Sequence, residues 1–258
     1  VHYLDITGEI SVFEAVHQKD AEARRADVVL LPGAGFDVVP TDCLAARLVE
    51  ALPAATSLKL AFEAGGGPSP GTARTSVEKL GQGGCIRRDG KLTEVPMAWR
   101  SRTIPFAHAE REAVTIPWGD VYTAFVSTGV PDIEVYLALP PSSIRKMRRL
   151  RLLQPLLRLG AVKTFLRKQI QRKVSGPSDK RRAETACQVW GEVKSADGRV
   201  VSATMTTPNG YDLTVSASLG LLQFLLENEV EGGYYTPSLL MGSAYAESLP
   251  GVSFKLQS

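Results

Sequence analysis

The sequence predicts a two-domain protein, in which a parallel α/β sheet comes first and a mixed α+β domain follows. The first 52 residues alternate strand-like runs (Val1–Ile6 and Asp27–Leu31) with helical segments, the order expected when helices cover the faces of a parallel sheet. From residue 57 onward, β-rich segments separated by turns dominate. The chain has 258 residues, 44% of them apolar, which is enough for two hydrophobic cores.

Two helices are predicted in the first region. Ser11–Arg25 has apolar residues at helical spacing between charged ones. A second helix is predicted over residues 40–52, because proline suits the first turn and Thr41 or Asp42 follows it there. The first 56 residues are therefore assigned to the parallel α/β domain.

Residues 57–231 are predicted to form a mixed sheet with helices on one side. Asp89-Gly90 and Asp197-Gly198 are typical of hairpin turns, and Val121–Leu139 is β-branched enough for one or two strands. Helices are predicted over residues 70–80 and 212–228. The tail, residues 232–258, is expected to contain one helix beginning at Thr236-Pro237 and to return to the first domain.

Several classes of protein are excluded or disfavoured by composition. No apolar run reaches the roughly 18–20 residues that cross a bilayer, and Val1–Glu9 carries two acids where a signal peptide is basic and apolar. The expected location is the cytoplasm, with peripheral membrane attachment as an option. Cys43, Cys85 and Cys187 are odd in number and far apart, which favours free thiols over disulfides or zinc ligation. Three histidines leave little material for a metal site, so none is predicted.

The basic residues are concentrated in one segment. Between Ile144 and Lys173 the chain has 11 Lys or Arg and no acid, although its overall net charge is only +3. Apolar residues recur there in steps of three and four, which predicts a basic amphipathic helix over residues 142–174, interrupted at Pro155. Such a helix fits an anionic membrane surface, or it covers the second domain with its charges in solvent. An acidic carrier protein is a further option. No nucleic-acid partner is expected, because Phe165 is the segment's only aromatic residue.

A glycine-containing turn follows the second predicted strand. Gly33, Gly35 and Phe36 precede the helix that includes Pro40, which is where α/β proteins place ligands. The turn does not match GxGxxG, because Val38 occupies the position of the third glycine. We expect it to let the backbone approach a ligand without gripping a pyrophosphate. An ordinary strand-to-helix turn is the alternative.

Two carboxylates follow the first strand. Asp5 and Glu9 lie four residues apart, where they could orient a polar ligand or act in acid–base chemistry. Either of them could instead cap a helix.

A set of short motifs in this order resembles the saccharopine-dehydrogenase-like oxidoreductases, and most closely the actinobacterial branch that includes trans-acting enoyl reductases of lipid and polyketide synthesis. The motifs are Tyr3–Glu9, Gly35–Asp42, Gly71–Thr72, Thr75–Ser76, Gly176–Ser178, Arg181–Ala183, Val189–Glu192 and Gly210–Tyr211. The resemblance implies a Rossmann-type NADP- or NAD-binding domain with an inserted mixed α+β domain. In that family the phosphate-binding glycine loop lies ahead of the first motif, so the Rossmann sheet is expected to be incomplete here and cofactor binding by these residues weak.

The resemblance also assigns candidate roles to individual residues. It places Asp5, Gly8, Glu9 and the turn Gly35–Asp42 at the edge of the nicotinamide pocket. The candidate catalytic residues are Asp5, Glu9 and Asp37, with Tyr3 and Tyr211 as further candidates for the proton donor, and the candidate cofactor-binding residues are Gly8, Gly33, Gly35, Phe36 and Pro40. Thr72, Tyr211 and Tyr235 are candidate substrate contacts, although Thr72 is equally suited to cap a helix and Tyr235 to pack.

Two functions from different classes follow. The first is an NAD(P)-dependent oxidoreductase, an enoyl or carbonyl reductase, acting on a small or lipid-like substrate. The second is a non-catalytic, membrane-associated or scaffolding protein that keeps the oxidoreductase fold. A homodimer formed through an exposed face of the mixed sheet is expected in either case.

Overall fold

The computed structural model describes residues 1–65, 83–153, 164 and 184–257. The predicted helix over residues 70–80, with Thr72, lies outside the described residues. Most of the predicted basic helix does so as well.

The described elements alternate between strands and helices at both ends of the chain. In chain order they are β1 (Tyr3–Leu4), α1 (Ile10–His17), α2 (Asp20–Ala26), β2 (Val29–Leu31), α3 (Val39–Ala51), β3 (Ala55–Glu63), β4 (Gly84–Arg88), β5 (Lys91–Val95), β6 (Ser101–Pro105), β7 (Glu110–Thr115), α4 (Asp120–Thr128), β8 (Asp132–Ala138), α5 (Pro141–Leu150), β9 (Ala186–Ser195), β10 (Val200–Pro208), α6 (Gly210–Glu227), β11 (Gly233–Tyr234), α7 (Pro237–Met241), α8 (Tyr245–Ser248) and β12 (Ser253–Gln257).

A small parallel sheet, sheet A, contains β1, β2 and β11 in that order. Tyr3 pairs with Leu30 on one side of β2, and Tyr234 pairs with Leu30 on the other. Val29 and Leu31 are fully buried, as expected for a central strand covered on both faces. The predicted parallel α/β sheet is therefore present, with its third strand supplied by the tail.

A larger mixed sheet, sheet B, has the order β12-β10-β9-β3-β8-β4-β5, and the β6–β7 hairpin joins it through β8. Among the described strands of sheet B, only β3 and β8 pair in parallel. The hairpin turns predicted at Asp89-Gly90 and Asp197-Gly198 are confirmed, and Asp89 and Gly90 both have positive φ angles (49° and 74°). The predicted mixed sheet is therefore confirmed.

Helix α3 joins the two sheets through the core. Its buried Leu44 and Leu48 face sheet B, where the fully buried Leu60 of β3 also packs. A Cβ on Gly191 of β9 would lie 2.6 Å from Leu48 Cδ1, so the glycine permits the close approach of helix and strand. The core of the protein is therefore centred on α3.

The predicted helix over Ser11–Arg25 is two helices, α1 and α2. The break falls at Gln18 and Lys19, and the Oδ1 atom of Asp20 accepts the backbone N–H of Tyr234 at 2.7 Å. The start of α2 is therefore fixed by a strand more than 200 residues away in the chain. No local pattern could indicate this boundary.

The strand expected at Val121 is wrong, because residues 120–128 form helix α4. Val121 and Ala124 are buried at helical spacing, and α4 packs on α3. Gly129 ends the helix with a left-handed φ of 70°. Packing against α3 thus overrides the β-branched composition, and only Asp132–Ala138 of the predicted stretch is a strand.

The tail contains two short helices where one was expected. Thr236 does cap the first, α7, by accepting the N–H of Leu239 at 3.3 Å. Gly242, with a φ of 84°, separates it from α8. The tail then adds β12 to sheet B beside β10, so its residues contribute to both sheets.

The absence of a transmembrane helix holds for the described residues, where no helix combines the length and apolar character needed to cross a bilayer. Cys43, Cys85 and Cys187 are free thiols, as expected.

Candidate functional site

The loops that follow β1 and β2 meet at the carboxyl edge of sheet A. The Oδ1 atom of Asp5 accepts the N–H of Gly33 at 3.0 Å and that of Thr7 at 2.9 Å. The backbone carbonyl of Asp5 accepts the N–H of Ala34 at 2.7 Å. Asp5 thus ties the two loops together, and its carboxylate organises the backbone of the site.

Tyr3 completes the set of hydrogen bonds around Asp5. Its hydroxyl donates to Asp5 Oδ2 at 2.5 Å. This hydrogen bond, together with burial and the nearby negative charge, raises the pKa of Tyr3 to about 12. At neutral pH the Tyr3 hydroxyl is therefore protonated and donates its hydrogen bond to Asp5.

The glycines of the turn after β2 are required by contacts within the protein. Gly33 has a φ of 79°, and a Cβ there would lie 2.8 Å from Val38 Cγ2. A Cβ on Gly35 would lie 2.9 Å from Thr214 Cγ2 of α6. The turn is therefore packed tightly between sheet A and α6.

Phe36 leads from this turn into a group of aromatic rings. Its backbone N–H donates to Thr214 Oγ1 at 3.0 Å, which fixes the ring beside the start of α6. The Phe36 ring meets Phe62 edge-on at 6.2 Å, and Phe62 meets Trp118 at 5.0 Å between centroids. We call Phe36, Phe62 and Trp118 the aromatic cluster.

Asp37 and Gly8 lie against each other beside the aromatic cluster. A Cβ on Gly8 would lie 2.8 Å from Asp37 Oδ2, and the carbonyl of Asp37 accepts the indole N–H of Trp118 at 2.9 Å. A Cβ on Gly119 would in turn lie 3.2 Å from the Gly8 carbonyl oxygen. Two loops of sheet A and the loop before α4 therefore converge here, with the Asp37 carboxylate facing Gly8 and Glu9 following next in the chain.

The remaining candidate residues in the described part of the chain are Tyr211, Glu9, Pro40 and Tyr235. Tyr211 is in the first turn of α6, next to Gly210, whose Cβ position is 3.2 Å from the Phe36 ring. Glu9 precedes α1 and its side chain does not cap that helix. Pro40 is buried in the first turn of α3. Tyr235 donates its hydroxyl proton to the Glu231 carbonyl, ahead of β11, and so turns toward the opposite end of that strand.

Sequence reasoning missed Trp118, Gly119, Phe62 and Thr214. All four come from elements distant in the chain, and each reaches the site through tertiary packing. Gly210 was included only through the family resemblance. A Trp-Gly pair directly before a helix was the one local signal available for two of them.

A pair of buried carboxyl groups, Asp42 and Asp120, lies behind the site. Both are fully buried, and burial raises the pKa of each above its ordinary range. The Oδ2 atom of Asp42 accepts the N–H of Ser238 at 2.8 Å, which holds α7 on α3. Asp120 directly follows Gly119, so the pair supports the loop that touches Gly8.

Each of these carboxyls also accepts a hydrogen bond from a hydroxyl. Thr41 Oγ1 donates to Asp120 Oδ1 at 2.6 Å and lies 3.0 Å from the Val38 carbonyl oxygen. Ser127 donates to Asp42 Oδ1 and lies beside the Thr123 carbonyl in the same way. These hydrogen bonds lower the pKa of both carboxyls, but burial is the larger effect and the net direction is upward.

The described residues fit one end of a nicotinamide dinucleotide and not the other. Aromatic rings and loop backbone are available for the flat nicotinamide ring. A pyrophosphate is held by free amides at a helix N-terminus, but the first amides of α3 donate to the Gly35 carbonyl, and α1 begins directly after the acidic Glu9. Nor do the described ranges contain three or more His, Cys, Asp or Glu grouped to hold a metal ion.

Comparisons with known proteins support the fold. No protein-family model matches the chain, and no curated protein matches it either. Among solved structures, apo saccharopine dehydrogenase (L-glutamate forming) from Saccharomyces cerevisiae is similar with a TM-score of 0.54 and 11% sequence identity, over 95% of this chain and 77% of that chain. At this identity the likeness concerns architecture alone. The chain therefore has a saccharopine-dehydrogenase-like fold, with a partial Rossmann-like parallel sheet and a mixed second sheet.

Proposed function

We propose that this chain forms the nicotinamide end of an NAD(P)-dependent oxidoreductase site. The observation that carries the proposal is the convergence of the loops after β1 and β2, at the carboxyl edge of a parallel sheet, on Phe36, Asp37 and Trp118. Ligands of open α/β sheets bind at this edge. The similarity to the fold of a dehydrogenase supports an oxidoreductase function in general.

Each part of the site has a distinct role in the proposal. When bound, a nicotinamide cofactor supplies or accepts a hydride. The aromatic cluster provides an apolar wall that orients the ring and keeps water away. Asp5 holds the two loops in place, and Asp37 is the carboxyl group positioned to hold or accept a proton beside Gly8.

The substrate class that suits this wall is apolar. Phe62 is buried and Trp118 is half-buried, and the cations that lie over aromatic rings in the described residues are over Phe254, Tyr122, Phe125 and Trp190 instead. We propose a carbonyl- or enoyl-containing, lipid-like substrate, as in the branch of the family that the motifs resemble. A small polar amino acid would leave this surface without a partner.

The site geometry predicts that NADPH binds weakly and that its phosphates contribute little to the affinity. We expect these 258 residues to bind NADPH only in the millimolar range, and to bind reduced nicotinamide mononucleotide within about three-fold of the same affinity, because the part of the chain that the structure describes offers the phosphates no cradle. Saturation-transfer NMR is the measurement. The nicotinamide protons are expected to receive more saturation than the adenine protons.

The Phe36→Ala variant tests the location of the ring. We expect it to weaken nicotinamide binding roughly five- to ten-fold, the scale of one aromatic contact. Phe254→Ala is the matched control, since Phe254 is also half-buried but lies on β12 against Arg47. Stronger saturation of adenine, or equal effects of the two variants, would contradict the proposed site. Absence of nicotinamide binding at 10 mM or above would favour a non-catalytic scaffold.

A further inference from the structure

A basic surface with exposed apolar side chains lies next to β7 of sheet B. It is formed by α5, by the turn that follows it and by the loop before β6. We call it the α5 surface, and its residues are Arg145, Lys146, Arg148, Arg149, Leu152, Leu153 and Trp99.

Helix α5 is anchored to the protein by its apolar side. Ile144 is 1% exposed and packs with Ala98 and Val114, and Met147 packs beside them. The four basic residues between and after these positions are exposed. The apolar side of α5 therefore packs on the core, and its charged face is exposed to solvent or to a partner.

The apolar part of the surface is held in place by Arg151. Its guanidinium donates to the backbone carbonyls of Met97 and Ala98, and Ala98 has a φ of 54°, which side chains rarely adopt. Trp99 follows Ala98 directly and is 38% exposed, while Leu152 next to Arg151 is 85% exposed. The hydrogen bonds of Arg151 therefore hold the exposed Trp99 ring close to the exposed Leu152 and Leu153 side chains.

The charges of α5 are not neutralised within the described part of the chain. Arg145, Lys146 and Arg149 have no ion-pair partner there, and Arg148 donates to the hydroxyl of Ser101 at 2.9 Å. A depression whose lining includes Glu110, Arg111 and Glu112 lies at the proline-containing start of the helix, at the opposite end from Leu152. The surface is therefore cationic toward its apolar end.

We propose that the α5 surface docks on an anionic lipid bilayer. Attraction between Lys or Arg and lipid headgroups adds to burial of apolar side chains at the interface, and tryptophan is favoured at that depth. Exposed leucines do not favour nucleic acid, which is contacted by cations and by stacked aromatic rings. An acidic protein partner would offer no hydrocarbon layer in which Leu152 and Leu153 could be buried. Docking would bring the oxidoreductase site to the place where a lipid-like substrate is concentrated.

Vesicle co-sedimentation of the full chain tests this proposal. At 0.1 M salt we expect partitioning onto vesicles of 30% phosphatidylserine in phosphatidylcholine to exceed that onto pure phosphatidylcholine at least ten-fold. The combined substitution of Arg145, Lys146 and Arg149 by glutamine is expected to weaken it roughly a hundred-fold, because each basic residue near the surface contributes about five-fold. Replacement of Leu152 and Leu153 by serine is expected to weaken it roughly ten-fold.

Matched variants separate docking by this surface from general charge. Glutamine at Arg25, Lys194 and Lys255 removes three exposed cations from other elements, and at most a three-fold change is expected. A blue shift of tryptophan fluorescence on binding is expected to disappear in Trp99→Phe, which keeps Trp118 and Trp190. Thermal unfolding within about 2 °C of the parent chain shows that each variant is folded. Equal binding to neutral vesicles, unchanged binding of the α5 triple variant, or tighter binding to an RNA oligonucleotide of equal charge would overturn the proposal.

Discussion

Replacement of Gly232 by alanine is expected to destabilise the protein by roughly 3 kcal/mol. A Cβ at this position would lie 2.6 Å from the Ala23 carbonyl oxygen and 2.7 Å from both Asp27 Cα and Val28 N. All three are backbone atoms, so no side-chain rotation can relieve the contact. The Gly232 N–H also donates to Asp27 Oδ1 at 3.0 Å, at the point where β11 joins sheet A. The expected result is a fall of about 6–12 °C in Tm, measured by circular dichroism.

Gly129→Ala provides the comparison for this variant. Gly129 has a φ of 70° and no atom within 4 Å of its Cβ position, so only backbone strain opposes the substitution. We expect a loss of roughly 1–2 kcal/mol there. If Gly232→Ala proves no more destabilising than Gly129→Ala in urea unfolding, β11 does not pack on α2 and β2 as described.

Asp120→Asn is expected to stabilise the protein at pH 8, by roughly 1–3 kcal/mol. Asp120 is fully buried, its Oδ2 atom has no hydrogen-bond partner in the described structure, and burial raises its pKa well above the ordinary range. The negative charges of Asp42 and Asp37 raise it further, whereas the hydrogen bond with Thr41 lowers it. An amide has nearly the shape of the protonated acid and needs no proton from solvent.

The sign of the pH dependence follows from proton uptake. Because the pKa of Asp120 is higher in the folded than in the unfolded state, the folded protein binds more protons. The stability that this protonation contributes is complete below about pH 4, the unfolded pKa, and is lost as the pH rises toward the folded pKa. The advantage of Asp120→Asn is therefore expected to grow from pH 4 to pH 8. Urea unfolding at a series of pH values measures it.

Asp20→Asn is the control with the opposite sign. The hydrogen bond from Arg24 is the main cause that lowers the pKa of Asp20, with a further contribution from the N–H of Tyr234. Its contribution to stability is present above about pH 4 and is lost as the pH falls. Asp20→Asn should therefore be less stable than the parent chain at pH 8. A similar pH profile for both variants would show that Asp120 is ionised in the folded protein.

Much of the fold followed from local patterns in the sequence. Turn signals at Asp89-Gly90 and Asp197-Gly198 gave two hairpins of sheet B, and Thr236-Pro237 gave the start of α7. Each depends on backbone preferences of one or two residues. The errors occurred where distant contacts decide, as in the break between α1 and α2, where Asp20 binds Tyr234.

The candidate site was predictable only in part. Glycines and carboxylates after apolar strands marked the carboxyl edge of sheet A, and Gly8, Gly33 and Asp37 do converge there. The roles of single residues were less accessible. Asp5 bonds the backbone of both loops, and Tyr235 turns away from Phe36, because these contacts depend on strand register.

By itself, the sequence determined the order of the two sheets, the turns that connect their strands and the concentration of positive charge in one segment, since these depend on periodicity and composition. Only the tertiary structure decided which glycines face backbone, which rings form the aromatic cluster and which carboxyl groups are buried. Asp42 illustrates the difference: the sequence indicates only a polar residue in a helix's first turn, but packing of α4 and α7 over α3 removes it from water and binds it to Ser127 and Ser238. Burial depends on residues far apart in the chain, so no local pattern specifies it.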